Sequence, residues 1–167
     1  DKYPRGLALR GQAKLVAGEI DAAKADLDAA LKQAPKLEPA LIGRAWIDLQ
    51  AGDADEARKR IQPRYSDAGS SIALTTAYAA ILRAGTDPED KKKAVAMLER
   101  IVAGQRSAPI GQAQLELARV QRDLGETRAA RKAYEEAALS GSWDARIEIG
   151  MLLIEDRDPL GGRDTLD

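Results

Sequence analysis

The chain has 167 residues, 44% hydrophobic and 32% charged, with a formal net charge of −1. That length suits one domain with a real core and is short for two of ordinary size, and the charge balance removes the long-range case for nucleic acid, which needs cations massed on one face. Zero Cys and zero His exclude disulfides, thiolate zinc sites, cysteine nucleophiles and imidazole-based triads, while zero Phe leaves the core to Ala, Leu, Ile and Val.

Nothing alternates with period two over a useful length, so the expected fold is all-α. The chain is best divided into units of two amphipathic helices. In the first, residues 4–37, "LRGQA" around Gly11 lies on a leading helix and "AGEID" turns at Gly18. The second helix then carries Ala23, Leu27 and Ala30 and stops at Pro35. The second unit, 38–70, reads "LIGRAWIDLQAGDADEA", with Ala45, Gly52, Ala57 and Ile61 at the matching places. Pro63 falls late in its second helix and should end that helix early, leaving "RYSDAGSS" as an irregular connection and a place for a bend.

The third unit, 71–107, has Tyr78 where its siblings have a small residue, and Gly85 at the turn. Its sequence Asp87-Pro88-Glu89-Asp90 supplies a cap, a proline at the first helical position and acids in the first turn, which starts the second helix one turn ahead of its siblings. The fourth unit, 108–142, carries Ala118, Gly125, Ala130, Tyr134 and Ala137. A partial fifth, 143–167, offers a helix over Trp143 to Glu155 and a turn at Gly161-Gly162.

The marker alanines Ala23, Ala57, Ala94 and Ala130 recur at spacings of 34, 37 and 36 residues. Four residues after each comes a larger apolar side chain, and three beyond that stand Ala30, Arg64, Ile101 and Ala137, of which Arg64 is off-pattern. Small residues at fixed points let successive helices approach closely, and a period near 34 is the signature of an α-solenoid. These residues resemble the tetratricopeptide repeat over most of the chain, and "AALSG", Ala145 and "IGMLL" give the C-terminal end a likeness to the Sel-like variant. The resemblance implies a right-handed α-solenoid of antiparallel helix hairpins, a single domain over 1–167 without its terminal cap. The chain opens on Asp1 and is expected to be a piece of a longer protein, whose further repeats would cover the last apolar face. Its composition, rich in Ala, Arg, Asp and Leu, hints at a bacterial parent.

The same resemblance implies a non-catalytic scaffold whose leading helices line a concave groove for a partner protein or peptide. Carried onto this chain, the family's inward positions are Arg5, Ala8, Gln12 and Leu15, then Ile42, Trp46 and Leu49. The third unit contributes Thr75, Ala79 and Arg83, and the fourth Leu115, Arg119 and Arg122. Tryptophan at one end and arginines at the other would suit an amphipathic helix or an extended acidic peptide. Trp46 could equally pack against a neighbouring unit, and Trp143 is expected to wedge between units. Arg10 and Arg44 share one repeat position and are expected to be structural. Family members that clasp chaperone carboxylates use Lys and Asn where this chain has Ala8, Gln12 and Gly43, with Ile72 and Thr76 at further cation positions, which argues against that mode. An envelope-side assembly factor and a regulatory appendage of a larger enzyme are the rival readings.

Other chemistry finds little support. "DRDPLGGRDTLD", Asp156 to Asp167, imitates a calcium loop, but Pro159, Leu160 and Arg163 occupy the wrong positions. The basic runs Arg58-Lys59-Arg60 and Lys91-Lys92-Lys93 lie beside acids and read as solvated helix faces. Glu135 and Glu136 point apart on a helix, and no glycine-rich phosphate loop is present. No enzyme site, cofactor or metal is expected, and no apolar run approaches the ~20 residues needed to span a bilayer. Absence of Cys fits cytoplasm and periplasm alike.

Overall fold

The computed structural model describes residues 3–66, 69–104 and 110–157, the last five by backbone alone, and every regular element among them is helical. In chain order these are α1 (Pro4–Val16), α2 (Ile20–Gln33), α3 (Glu38–Gln50), α4 (Ala54–Ile61) with a 3-10 turn at Gln62–Arg64, and α5 (Ile72–Ala84). Then follow α6 (Pro88–Gly104), α7 (Gly111–Asp123), α8 (Thr127–Leu139) and α9 (Trp143–Arg157). The chain divides into two compact units, Asp1–Thr86 and Asp87–Asp167, holding α1–α5 and α6–α9. The division falls between α5 and α6, the two helices that the sequence pattern assigns to one repeat.

Four helix ends are closed in the same way. Gly18, Gly52, Gly125 and Gly141 have φ of 78°, 81°, 78° and 90°, in the left-handed region that a side chain disfavours. The residue after each glycine donates its N–H back across the turn: Glu19 to Lys14 O, Asp53 to Asp48 O, Glu126 to Gln121 O and Ser142 to Ala137 O, all between 2.8 and 3.0 Å. This is the Schellman arrangement, which satisfies carbonyls that the helix end would otherwise leave without a donor. Gly85 departs from the expected pattern: its φ is −71° with extended ψ, and it is the first rather than the second of three connecting residues.

Helix starts follow the sequence signals. Asp53 Oδ1 accepts from the Glu56 N–H at 3.0 Å, and Ser71 Oγ accepts from the Leu74 N–H at 3.0 Å. Pro88 opens α6 six residues before Ala94, whereas α2, α4 and α8 open three residues before Ala23, Ala57 and Ala130, so the expected extra turn is present. Pro63 lies in the 3-10 turn that ends α4 after eight residues, as its missing N–H requires. The space left by that short helix accounts for the oversized Tyr78. Tyr65, just beyond the turn, packs its ring on Tyr78 of α5 with centroids 4.8 Å apart.

In the first unit α1 packs on α2, both pack on α3, and α3 packs on α4 and α5, which also meet each other. In the second, α6 packs on α7, α7 on α8, and α8 on α9. The repeated positions are the buried ones. Ala23, Ala57, Ala94 and Ala130 are all wholly inaccessible, and so are Leu27, Ile61, Leu98 and Tyr134. Gly11, Ala45, Tyr78 and Ala118, the matching residues of the leading helices, are buried as well. Leu27 carries the closest of these contacts, because a Cβ added to Gly11 of α1 would lie 2.7 Å from its Cγ and one added to Gly43 of α3 would lie 2.9 Å from its two methyls.

Candidate functional site

The expected groove residues separate into those that face solvent and those that do not. In the first unit Arg5 is exposed and Arg83 and Trp46 are partly buried. Gln12 is spoken for: its Nε2 donates to Pro39 O at 3.1 Å and ties α1 to the start of α3. Ile42 and Thr75 are only 8% and 4% exposed, and Thr75 Oγ1 donates to Ser71 O on its own helix. In the second unit Leu115 is inaccessible. The expectation that Ile42, Thr75 and Leu115 line an open surface is therefore corrected: these side chains are taken up by packing. A leading helix in the first unit is flanked by helices on more than one side, so α3 touches α1, α2, α4 and α5, and fewer of its positions remain open than one hairpin would suggest. Ala8 and Ala79 are buried for the same kind of reason.

The remaining pair, Arg119 and Arg122 of α7, converges on one carboxylate. Glu148 of α9 receives Arg122 Nη1 on Oε2 at 2.5 Å and faces Arg119 Nε from Oε1 at 3.5 Å, while Arg119 also lies 3.9 Å from Glu116. Both guanidinium groups keep an open side, with side-chain exposures of 24% and 37%, and Glu148 is mostly covered. Tyr134 of α8 borders this cluster. Its hydroxyl is buried without a hydrogen-bond partner among the described residues, and burial pushes its pKa up to about 12, with Arg122 and Arg119 pulling the other way. Burial opposes the charge of Arg122, but Tyr134 and Glu148 together hold its pKa above the ordinary arginine value. The result is a semi-exposed cationic edge braced by an internal carboxylate, able to accept a second anion in bidentate fashion.

Arg10 and Arg44 are structural, as expected. Arg10 grips Asp26 of α2 with two bonds of 2.7 and 2.6 Å, and Lys14 adds a third contact at 2.8 Å. Hydrogen bonds from Arg10 and Lys14 hold the Asp26 carboxyl far below the usual range. Arg44 reaches Asp28 at 2.6 Å, and Asp48 of the same helix pairs with Arg60 of α4. The contact made by Lys14 and Asp26 in α1 and α2 thus recurs one repeat later with its signs exchanged, as Asp48 and Arg60.

Trp143 does not wedge between helices. It is 69% exposed, with the Arg146 guanidinium 5.3 Å from its ring centroid, beside a depression of about 400 Å³ lined by Gly111, Gln112 and Ser140 to Asp144. Sequence reasoning missed Glu148 and Tyr134 as members of the arginine cluster. Glu148 lies 26 residues beyond Arg122 and no local motif joins them, whereas the Trp143 and Arg146 pair was readable from its i, i+3 spacing.

The chain matches no protein-family model and no curated protein sequence.

Among the described residues no group of three or more acidic side chains is placed to hold a metal ion, and no helix is long and apolar enough to cross a membrane. Most of the calcium-like stretch, 158–167, lies outside the described residues, as does the turn at Gly161-Gly162.

Proposed function

We propose that the chain is a non-catalytic interaction module of tetratricopeptide type, a right-handed solenoid of antiparallel hairpins that holds a partner protein or peptide on its leading helices. The repeated register supports the architecture: one small-residue position is buried in each second helix, and one glycine turn joins leading to second helix at Gly18, Gly52 and Gly125. The observation that carries the function is the chemistry of the expected groove residues that stay accessible. Arg5, Arg83, Arg119 and Arg122 are cations and Trp46 is an aromatic anchor, whereas the apolar candidates Ile42 and Leu115 are buried. In the first unit such a set favours an acidic segment with an apolar residue for the tryptophan, and in the second the arginine pair favours an acidic segment.

Selection of phage-displayed peptides against the folded chain tests the proposal. Acid-rich peptides with one bulky apolar residue are expected, and combining Trp46→Ala with Arg119→Glu should weaken them by about tenfold or more, which corresponds to about 1.4 kcal/mol. Peptides without acidic enrichment, or equal affinity for the wild type and the double variant, would remove this reading.

A further inference from the structure

Gln121 is a polar side chain in an apolar place. On α7 it follows Leu117 by four residues, so the two share one side of the helix, while Arg119, two residues from each, stands on the opposite side. Gln121 is 6% exposed, and its Oε1 is buried without a hydrogen-bond partner among the described residues. Its backbone carbonyl accepts the Glu126 N–H at 2.9 Å, which pins the residue beside the Gly125 turn. An acceptor buried in this way is costly unless a donor reaches it.

Leu117 and Gln121 line a depression of about 240 Å³ inside the second unit. Ala129 and the buried Ala133 of α8 extend its apolar wall. Glu99 of α6 and Glu136 of α8 bring carboxylates to the same opening, together with Lys132. Two acids thus stand against one base, and that base is held loosely: Lys132 Nζ lies 3.9 Å from Glu136 Oε1, with its side chain 79% exposed.

This lining makes a specific chemical demand. An ammonium group carries three donors and no acceptor, which matches one amide oxygen and two carboxylates, and an aliphatic stem matches Leu117, Ala129 and Ala133. A hydroxyl would satisfy the Gln121 oxygen and leave the carboxylates uncompensated, whereas a planar guanidinium suits one forked carboxylate better than acceptors spread over three helices. We propose that the depression where α6, α7 and α8 meet over Gln121 binds a primary ammonium on an aliphatic stem, carried by a free diamine or by a lysine of a partner. The site uses the side of α7 turned away from Arg119 and takes the opposite charge to the proposed groove, so its failure would leave the groove reading standing.

Heteronuclear NMR of the isotope-labelled full chain, at neutral pH and low salt, tests the proposal. Cadaverine and Nα-acetyl-lysine methylamide are titrated separately, and each should shift the Gln121 side-chain amide and the Ala133 N–H saturably. Tighter binding of cadaverine assigns the site to a free amine, and tighter binding of the lysine derivative assigns it to a partner's side chain. Gln121→Met removes the amide oxygen at similar length, and Glu99→Gln neutralises an exposed residue whose replacement leaves the fold intact. Each should weaken binding about tenfold, read at Ala133. Lys132→Ala, which releases Glu136, should strengthen it about twofold to fivefold. The proposal is overturned if neither amine gives a saturable shift, which would leave the Gln121 oxygen to an ordered water. It is also overturned if pentanol, which keeps the stem and lacks the charge, shifts the same signals as strongly, or if Gln121→Met and Glu99→Gln both bind as the wild type does.

Discussion

Leu27 of α2 seats its isobutyl group on Gly11 of α1 and at the same time on Gly43 of α3, so one side chain sets the spacing of three helices. A methyl at Gly11 would meet the branch carbon of Leu27 at 2.7 Å and the Ala23 carbonyl oxygen at 3.2 Å, leaving little freedom to yield. Gly11→Ala should therefore destabilise by about 1 to 3 kcal/mol from overpacking, less up to ~1 kcal/mol returned by helix propensity. Leu27→Ala should cost ~2 to 5 kcal/mol. In the double variant the added methyl occupies vacated space, so the combined loss should be smaller than the sum. Urea denaturation of the four proteins gives the coupling directly, and strict additivity would show that the two residues do not share this contact.

The repeat phase makes a sharper demand at neighbouring positions. Ala23 and Ala130 are inaccessible, while Ala22 is only partly covered. Ala23→Leu and Ala130→Leu should each lose about 1 to 3 kcal/mol, and Ala22→Leu should change the melting temperature little. Comparable melts for Ala22→Leu and Ala23→Leu would refute the register.

The glycine turns can be told apart by the same means. Gly125→Ala places a side chain at φ 78° and should cost about 1 to 2 kcal/mol, and Gly18→Ala the same. Gly85→Ala, at φ −71°, carries no such penalty and should cost less than half as much. A Gly85 variant as unstable as the Gly125 variant in chemical denaturation would contradict the difference in backbone.

Acid should loosen the first unit through Asp26. Because its carboxyl is held well below the usual pKa near 4, the unfolded chain takes up this proton before the folded one. The stabilisation is therefore complete above that value and is lost as pH falls through the lower folded pKa. Asp26→Asn should be less stable than wild type at neutral pH, and the gap should narrow steadily in urea titrations below pH 4. A gap that stays constant across that range would mean the ion pair contributes nothing.

Base should act on Tyr134 in the opposite sense. With its pKa pushed up to about 12 by burial, the folded chain keeps a proton that the unfolded chain releases near 10, so stability falls as pH rises between the two values. Tyr134→Phe removes a buried hydroxyl that has no partner among the described residues. It should be neutral or stabilising by ~1 kcal/mol at pH 7, and it should lose its share of the alkaline decline. If Tyr134→Phe is markedly destabilising, the hydroxyl is bonded after all.

Much of the helical order was written in small residues. Ala23, Ala57, Ala94 and Ala130 can be read from spacing alone because bulk is excluded wherever helices nearly touch, and Pro63 and Pro88 announce an end and a start through their missing N–H. Gly85 misled because a glycine marks a connection without fixing its geometry: with Thr86 and Asp87 before Pro88, the chain has room to leave the helix extended. Gly141 was passed over as a turn because it joins a second helix to the next leading one, out of step with the other glycines. Ile42, Thr75 and Leu115 lie on a face shared between groove and packing, and only the neighbouring helices decide how much of it stays open. Glu148 was invisible because its meeting with Arg119 and Arg122 depends on where α9 comes to rest.

The exchanged signs of Lys14 with Asp26 and of Asp48 with Arg60 make the two junctions electrostatically distinguishable. If α2 docked in place of α4, Asp26 would confront Asp48, and α4 against α1 would set Arg60 on Lys14. Tandem segments this alike are prone to mispairing, and like charges meeting at the wrong junction discourage it without any difference in their apolar faces.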